Sequence, residues 1–137
     1  MFSGANTFMQ AAYLVRDFDT ALDLWLKRGA GPFYVGRSMS LELAYRGQPA
    51  KAELSVAWGQ FDGMQVELIQ QHCANPSAFR DLYPDGVADG AGSLHHMGML
   101  NHDYDRAMAG ATALGYQPAT SGCFDGTRFA HMDARPA

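Results

Sequence analysis

Cysteine is nearly absent from this chain: its 137 residues include only Cys73 and Cys123. Two thiols so far apart, with no close-spaced pair, exclude a disulfide framework and a zinc-finger type of site, and each reads as an unpaired thiol. Long apolar runs are also missing. Nothing approaches the ~20 residues that span a bilayer, so no membrane partner is expected. The start, Met1-Phe2-Ser3-Gly4-Ala5-Asn6, lacks the basic and apolar regions of a signal peptide, which leaves the cytoplasm as the expected compartment. Basic charge is in deficit, with 10 Lys and Arg against 14 Asp and Glu and a formal net charge of −4. Such a surface offers no electrostatic footprint for nucleic acid. What is plentiful is apolar side chain, 47% of the chain, enough for the core of one domain spanning 1–137.

The strongest pattern is an internal repeat. Gln10 to Gly29 reads as a divergent copy of His96 to Gly115: Leu14, Asp17, Asp19, Ala21 and Gly29 recur at one fixed offset as Leu100, Asp103, Asp105, Ala107 and Gly115. In each copy a short apolar run (Tyr13-Leu14-Val15, Met97-Gly98-Met99-Leu100) predicts a strand that ends at an Asp suited to cap a helix. Phe18, Ala21, Leu22, Trp25 and Leu26 then fall at helical spacing, as do Tyr104, Ala107, Met108, Ala111 and Leu114. Asp19 and Asp105 complement the helix dipole, and Gly29 and Gly115 stand where a helix ends in a left-handed residue. Both residues that open the copies, Gln10 and His96, carry a lone pair that a metal can accept.

Between the copies, Leu41–Tyr45, Glu53–Trp58 and Met64–Gln70 read as strands. They are separated by turn-rich Arg46-Gly47-Gln48-Pro49 and Gly59-Gln60-Phe61-Asp62-Gly63. Asn75 to Gly92, rich in Pro, Gly and Asp, predicts a connector with one helical turn near Ala78–Tyr83. Two further strands, Gln117–Phe124 and Thr127–Asp133, follow the second helix. The expected organisation is a first module at 7–72, a connector at 73–92, and a second module at 93–137 that is one strand short.

Five segments carry a family resemblance: Gln10-Ala11-Ala12-Tyr13-Leu14-Val15-Arg16-Asp17, Gly31-Pro32-Phe33-Tyr34, Val66-Glu67-Leu68-Ile69-Gln70, Leu94-His95-His96-Met97-Gly98 and Arg128-Phe129-Ala130-His131-Met132-Asp133. In order and spacing the chain resembles the vicinal oxygen chelate superfamily, the glyoxalase, bleomycin-resistance and dioxygenase group. The resemblance implies an α+β fold of paired βαβββ modules forming an incurved mixed sheet, the second module lacking its last strand. It also implies metal ligands on the first and last strands of each module, which places Gln10, Glu67 and His96 at three of four positions. The fourth, usually a Glu that also serves as catalytic base, has no counterpart before Ala137.

The same three residues make chemical sense as a donor set. Amide oxygen, carboxylate and imidazole suit a divalent metal such as zinc, nickel, cobalt or manganese, and disfavour metals that demand thiolate. Glu67, set among Met64, Val66, Leu68 and Ile69, needs a partner or a cavity. Strand alternation puts His95 and His96 on opposite faces, so only one can face the cleft, and His96 is the one expected there because it heads the repeat and lines up with Gln10. Glu67 and His131 are the expected catalytic residues, and Phe33, Tyr34, Tyr45, Trp58 and Phe61 are available to line an apolar cleft.

The resemblance implies a glyoxalase-like metal-dependent isomerase, epimerase or lyase that acts on a small substrate through a chelated enolate or enediolate. The Gln, Glu, His set looks like one glyoxalase I type. The sequence style, Pro76-Ser77-Ala78-Phe79-Arg80-Asp81 before Leu94-His95-His96, is nearer the methylmalonyl-CoA epimerase-like branch, where a His commonly replaces Gln10. Glutathione hemithioacetal and acyl-CoA are the corresponding substrates. The alternative is a metal-free small-molecule binding protein of the bleomycin-resistance type. Family habit makes a homodimer the expected assembly.

Overall fold

In the computed structural model, which describes residues 7–135, each copy of the repeat is a strand followed by a capped helix. The residues read for a leader, 1–6, and the last two, 136 and 137, lie outside the described residues. Strand β1 (Phe8–Leu14) leads to α1 (Phe18–Lys27) through Asp17, whose carboxylate accepts the Thr20 N–H at 2.9 Å. Following β2 (Tyr34–Tyr45), β3 (Gln48–Phe61), β4 (Met64–Gln71) and the short α2 (Ala78–Leu82), the pattern returns. Strand β5 (Ser93–Met99) leads to α3 (Tyr104–Ala113) through Asp103, which accepts the Arg106 N–H at 3.1 Å. Gly29 and Gly115 end both helices with φ of +98° and +90°, the left-handed region that glycine enters without a Cβ penalty. Strands β6 (Gln117–Phe124) and β7 (Thr127–Asp133) complete the described chain.

Strands β2 and β3 run longer than the sequence pattern predicts. The turns between them and after β3 contain only two residues each, Arg46-Gly47 and Asp62-Gly63, all four with positive φ (47°, 82°, 53°, 78°). Paired left-handed residues match the twist of the flanking strands, so pairing continues up to the turn. Residues 34–40, absent from the predicted strands, join β2 across an irregularity between Gly36 and Met39, where Ser38 has φ of +48°.

All seven strands form one mixed sheet in the order β5-β1-β4-β3-β2-β6-β7. Strands β1 and β4 are parallel and every other neighbour is antiparallel. The sheet curls until its two end strands face each other: the His131 ring on β7 lies 4.6 Å from that of His96 on β5. This is the expected α+β, incurved sheet, with two strands after α3, among the described residues, where three follow α1.

One face packs under α1, with Phe18, Ala21 and Trp25 against Val15, Ala57, Val66 and Leu68. The inner face packs Ala12, Leu14, Leu54, Val56 and Ile69 against Phe79 of α2. Helix α2 is anchored at its start. Its cap Ser77 donates to Gln71 Oε1 at 2.6 Å, and the Ala78 N–H donates to Thr120 Oγ1 at 2.9 Å. Helix α3 differs from α1 in burying none of its residues.

Candidate metal centre

Ala12, fully buried on β1, is paired with Glu67 of β4 on one side and His96 of β5 on the other. A lone methyl group there leaves room for both longer side chains to meet over it. Two residues earlier on the same face, Gln10 pairs with Gln65 and Gly98. A Cβ on Gly98 would lie 2.7 Å from Gln10 Oε1, so glycine provides the space in which the amide sits.

The three expected ligands come together. His96 Nε2 is 3.3 Å from Gln10 Oε1 and 3.6 Å from Glu67 Oε1. Gln10 is held by donating its amide N–H to Gln65 Oε1 at 2.6 Å. The other oxygen of Glu67 accepts the indole N–H of Trp58, its cross-strand neighbour, and Trp58 packs against Phe124 with ring centroids 5.6 Å apart. Of the remaining aromatics, Tyr34 is exposed and Phe61 packs on Trp25 under α1, away from this face.

Burial dominates the electrostatics, since the His96 and Glu67 side chains are only 18% and 13% exposed. It pushes the Glu67 carboxyl up to about 7, against the Trp58 hydrogen bond, which favours the ion. The same cause, reinforced by His95, pushes His96 down to about 4. His131 is held well below the ordinary histidine value by burial and then by His96 and His95. The centre is therefore a cluster of neutral imidazoles beside a carboxyl that exchanges its proton near neutrality.

His95 corrects the simple alternation read from sequence. The β1–β5 register passes from Ala12 opposite His96 to Tyr13 opposite Leu94, which leaves His95 as the extra residue of a β-bulge. Its ring turns to the same side as His96, with the two Nδ1 atoms 2.8 Å apart and His95 Nε2 3.0 Å from the Ala78 carbonyl oxygen. His131 completes the cluster, 5.7 Å from His95 and 5.2 Å from Phe79 by ring centroids. Its Nδ1 is shut off from solvent and has no hydrogen-bond partner.

The sequence reading missed the supporting contacts of Trp58, Gln65 and His95. The first was within reach, because counting outward from a two-residue turn at Asp62-Gly63 puts Trp58 opposite Glu67. Gln65 meets Gln10 only through the parallel β1–β4 register, and a bulge at His95 leaves no periodic signal.

The donor set fits a divalent ion. About 2.1 Å from each donor, an ion holds neighbouring donors roughly 3.0 Å apart in an octahedral arrangement and roughly 3.4 Å apart in a tetrahedral one. The two distances measured from His96 Nε2, 3.3 and 3.6 Å, lie close to that range. No group of three or more His, Cys, Asp or Glu among the described residues is placed to hold a metal; the third side chain beside Glu67 and His96 is the Gln10 amide.

An incurved mixed sheet with a polar cluster on its inner face defines a class, and the sequence comparison gives the family. The profile of the glyoxalase/bleomycin resistance protein/dioxygenase superfamily matches residues 9–133, and the chain belongs to that superfamily. No curated protein matches it. No helix among the described residues is long and apolar enough to cross a membrane.

Proposed function

We propose that this chain is a metal-dependent isomerase, epimerase or lyase, with Gln10, Glu67 and His96 as ligands of one divalent ion. The observation that carries this reading is the approach of Gln10 Oε1 and Glu67 Oε1 to the same atom, His96 Nε2, at 3.3 and 3.6 Å. A divalent ion held there supplies electrophilic stabilisation of negative charge developing on a substrate oxygen. Glu67 is the carboxylate on this face, beside His96, and is the group suited to move a proton at an adjacent carbon. His131, held neutral by burial and with an Nδ1 that has no hydrogen-bond partner, is the second acid–base group. Trp58, which donates to Glu67 and packs on Phe124, sets an apolar surface beside the carboxyl.

Under this reading, residues 7–72 and 93–137 are paired modules joined by 73–92, the substrate is a small thioester or hemithioacetal, and the active form is a homodimer. Incubation with zinc, nickel, cobalt or manganese in D2O, with glutathione hemithioacetal or an acyl-CoA thioester, tests the chemistry. The expected result is metal-dependent entry of deuterium at the carbon next to the carbonyl, lost in Glu67→Gln. No exchange with any metal and either substrate class would contradict the enzymatic reading.

The thinness of the ligand set favours one alternative, a metal-free binding protein in which Glu67 stays protonated between Trp58 and His96. Its mark would be saturable binding of a flat small molecule that quenches Trp58 fluorescence, unchanged by chelator.

A further inference from the structure

We infer that His95 is a positioning residue that sets which nitrogen of His96 bears the proton, and so leaves His96 Nε2 open as a donor. The inference rests on the metal-binding reading for its purpose, although the proton relay itself is a property of the hydrogen bonds. A backbone carbonyl only accepts, so the 3.0 Å contact between His95 Nε2 and the Ala78 oxygen requires the proton on His95 Nε2. In a neutral imidazole the other nitrogen is then bare, and His95 Nδ1 must accept. The 2.8 Å contact between the two Nδ1 atoms therefore requires the proton on His96 Nδ1. His96 Nε2 is left with a lone pair facing Gln10 Oε1 and Glu67 Oε1. The reverse assignment sets a bare His95 Nε2 against the Ala78 carbonyl at 3.0 Å, a closer contact between two acceptors than the 3.3 Å one that the first assignment leaves between His96 Nε2 and Gln10 Oε1, where a cation would sit.

The relay depends on the bulge. With regular alternation the His95 ring would project to the opposite face and His96 Nδ1 would lose this partner. The bulge and α2 act together: Ala78 opens α2, its own N–H is fixed on buried Thr120, and Phe79 of the same turn packs on the His95 ring at 5.2 Å. Orientation of a ligating histidine by a hydrogen bond to its second nitrogen changes metal affinity by roughly 10- to 100-fold.

The test compares wild type with His95→Asn, which keeps an acceptor near the Nδ1 position, and His95→Phe, which keeps the ring without one. Long-range 1H–15N spectra of the metal-free proteins at mildly alkaline pH read the His96 tautomer, and chelator competition reads zinc affinity. The expected result is a protonated Nδ1 in wild type and His95→Asn. In His95→Phe the tautomer should be mixed or reversed and zinc roughly 10- to 100-fold weaker. A wild-type His96 protonated at Nε2, or a His95→Phe variant with unchanged tautomer and affinity, would overturn the inference. Absence of zinc binding by wild type would overturn the metal-binding reading alone, because the spectra still decide the relay.

Discussion

Two residues at the centre are informative because they are small. Ala12 and Gly98 carry no chemistry, yet they set how closely Glu67, His96 and Gln10 approach. In Gly98→Ala the new methyl meets Gln10 Oε1 at 2.7 Å and Gln10 Cβ at 3.1 Å, so the amide should swing away and β1 should ease from β5 by a few tenths of an ångström while the fold persists. The expected outcome is weaker zinc binding with an unchanged circular dichroism spectrum. The Glu67 proton gives a sharper test. Its carboxyl titrates at about 7 and His96 stays neutral to about 4, so metal uptake must displace a proton from Glu67 alone over that interval. Apparent zinc affinity should fall about tenfold per pH unit below 7 and level off above it, with the slope abolished in Glu67→Gln. Stability follows the same linkage with the opposite preference. A carboxyl whose folded value exceeds its unfolded one favours the fold most at low pH, and that contribution is lost as pH rises through about 7. Relative to Glu67→Gln, metal-free wild type should lose about 3 kcal/mol between the acid side and mildly alkaline pH, read by urea denaturation.

The repeat made the elements legible, and the same elements show where that legibility ends. Asp17, Asp103, Gly29 and Gly115 mark helix ends by local chemistry, so they can be read from the chain alone. Pairing was less accessible. The width of the β2–β3 turn depends on left-handed Arg46, a residue that does not announce such a conformation, whereas Asp62-Gly63 is a pair from which a two-residue turn can be read. The bulge at His95 defeated strict alternation at the residue next to His96. The two helices, alike in sequence, also differ in burial. Helix α1 buries Phe18, Ala21 and Trp25, while α3 buries nothing. Trp25, which packs on Tyr13 at 4.9 Å and donates to the Ala91 carbonyl at 3.0 Å, should cost about 3–5 kcal/mol when replaced by Ala. Amide hydrogen exchange should find α1 protected to near the global limit and α3 exchanging by local opening. Equal protection of the two helices would contradict this division of the core.

At the scale of the molecule, the curled sheet brings β5 and β7 together without pairing them, and one charged cluster ties β7 to the rest. Arg46 donates to Asp81 at 2.8 Å and to Asp133 at 3.0 Å, Arg135 also holds Asp133, and Tyr45 donates to Asp81 at 2.7 Å. Hydrogen bonds from Arg135 and Arg46 keep the Asp133 carboxyl well below the usual carboxylate range. A depressed carboxylate stabilises the fold above its unfolded pKa and loses that contribution as pH falls, so the penalty of Arg46→Ala should be largest near neutrality and shrink in acid. Denaturant titrations at the two pH values check this. The homodimer is tested by size-exclusion chromatography with light scattering, where monomer alone at high concentration would remove it. The central claim, one ion held by Gln10, Glu67 and His96, is tested most directly by inductively coupled plasma mass spectrometry. Protein loaded with zinc, nickel, cobalt or manganese is dialysed and assayed beside folded Glu67→Ala and His96→Ala. The expected result is near one ion per chain in wild type and none in either variant; wild type without metal under every loading, or variants that keep it, would contradict the claim.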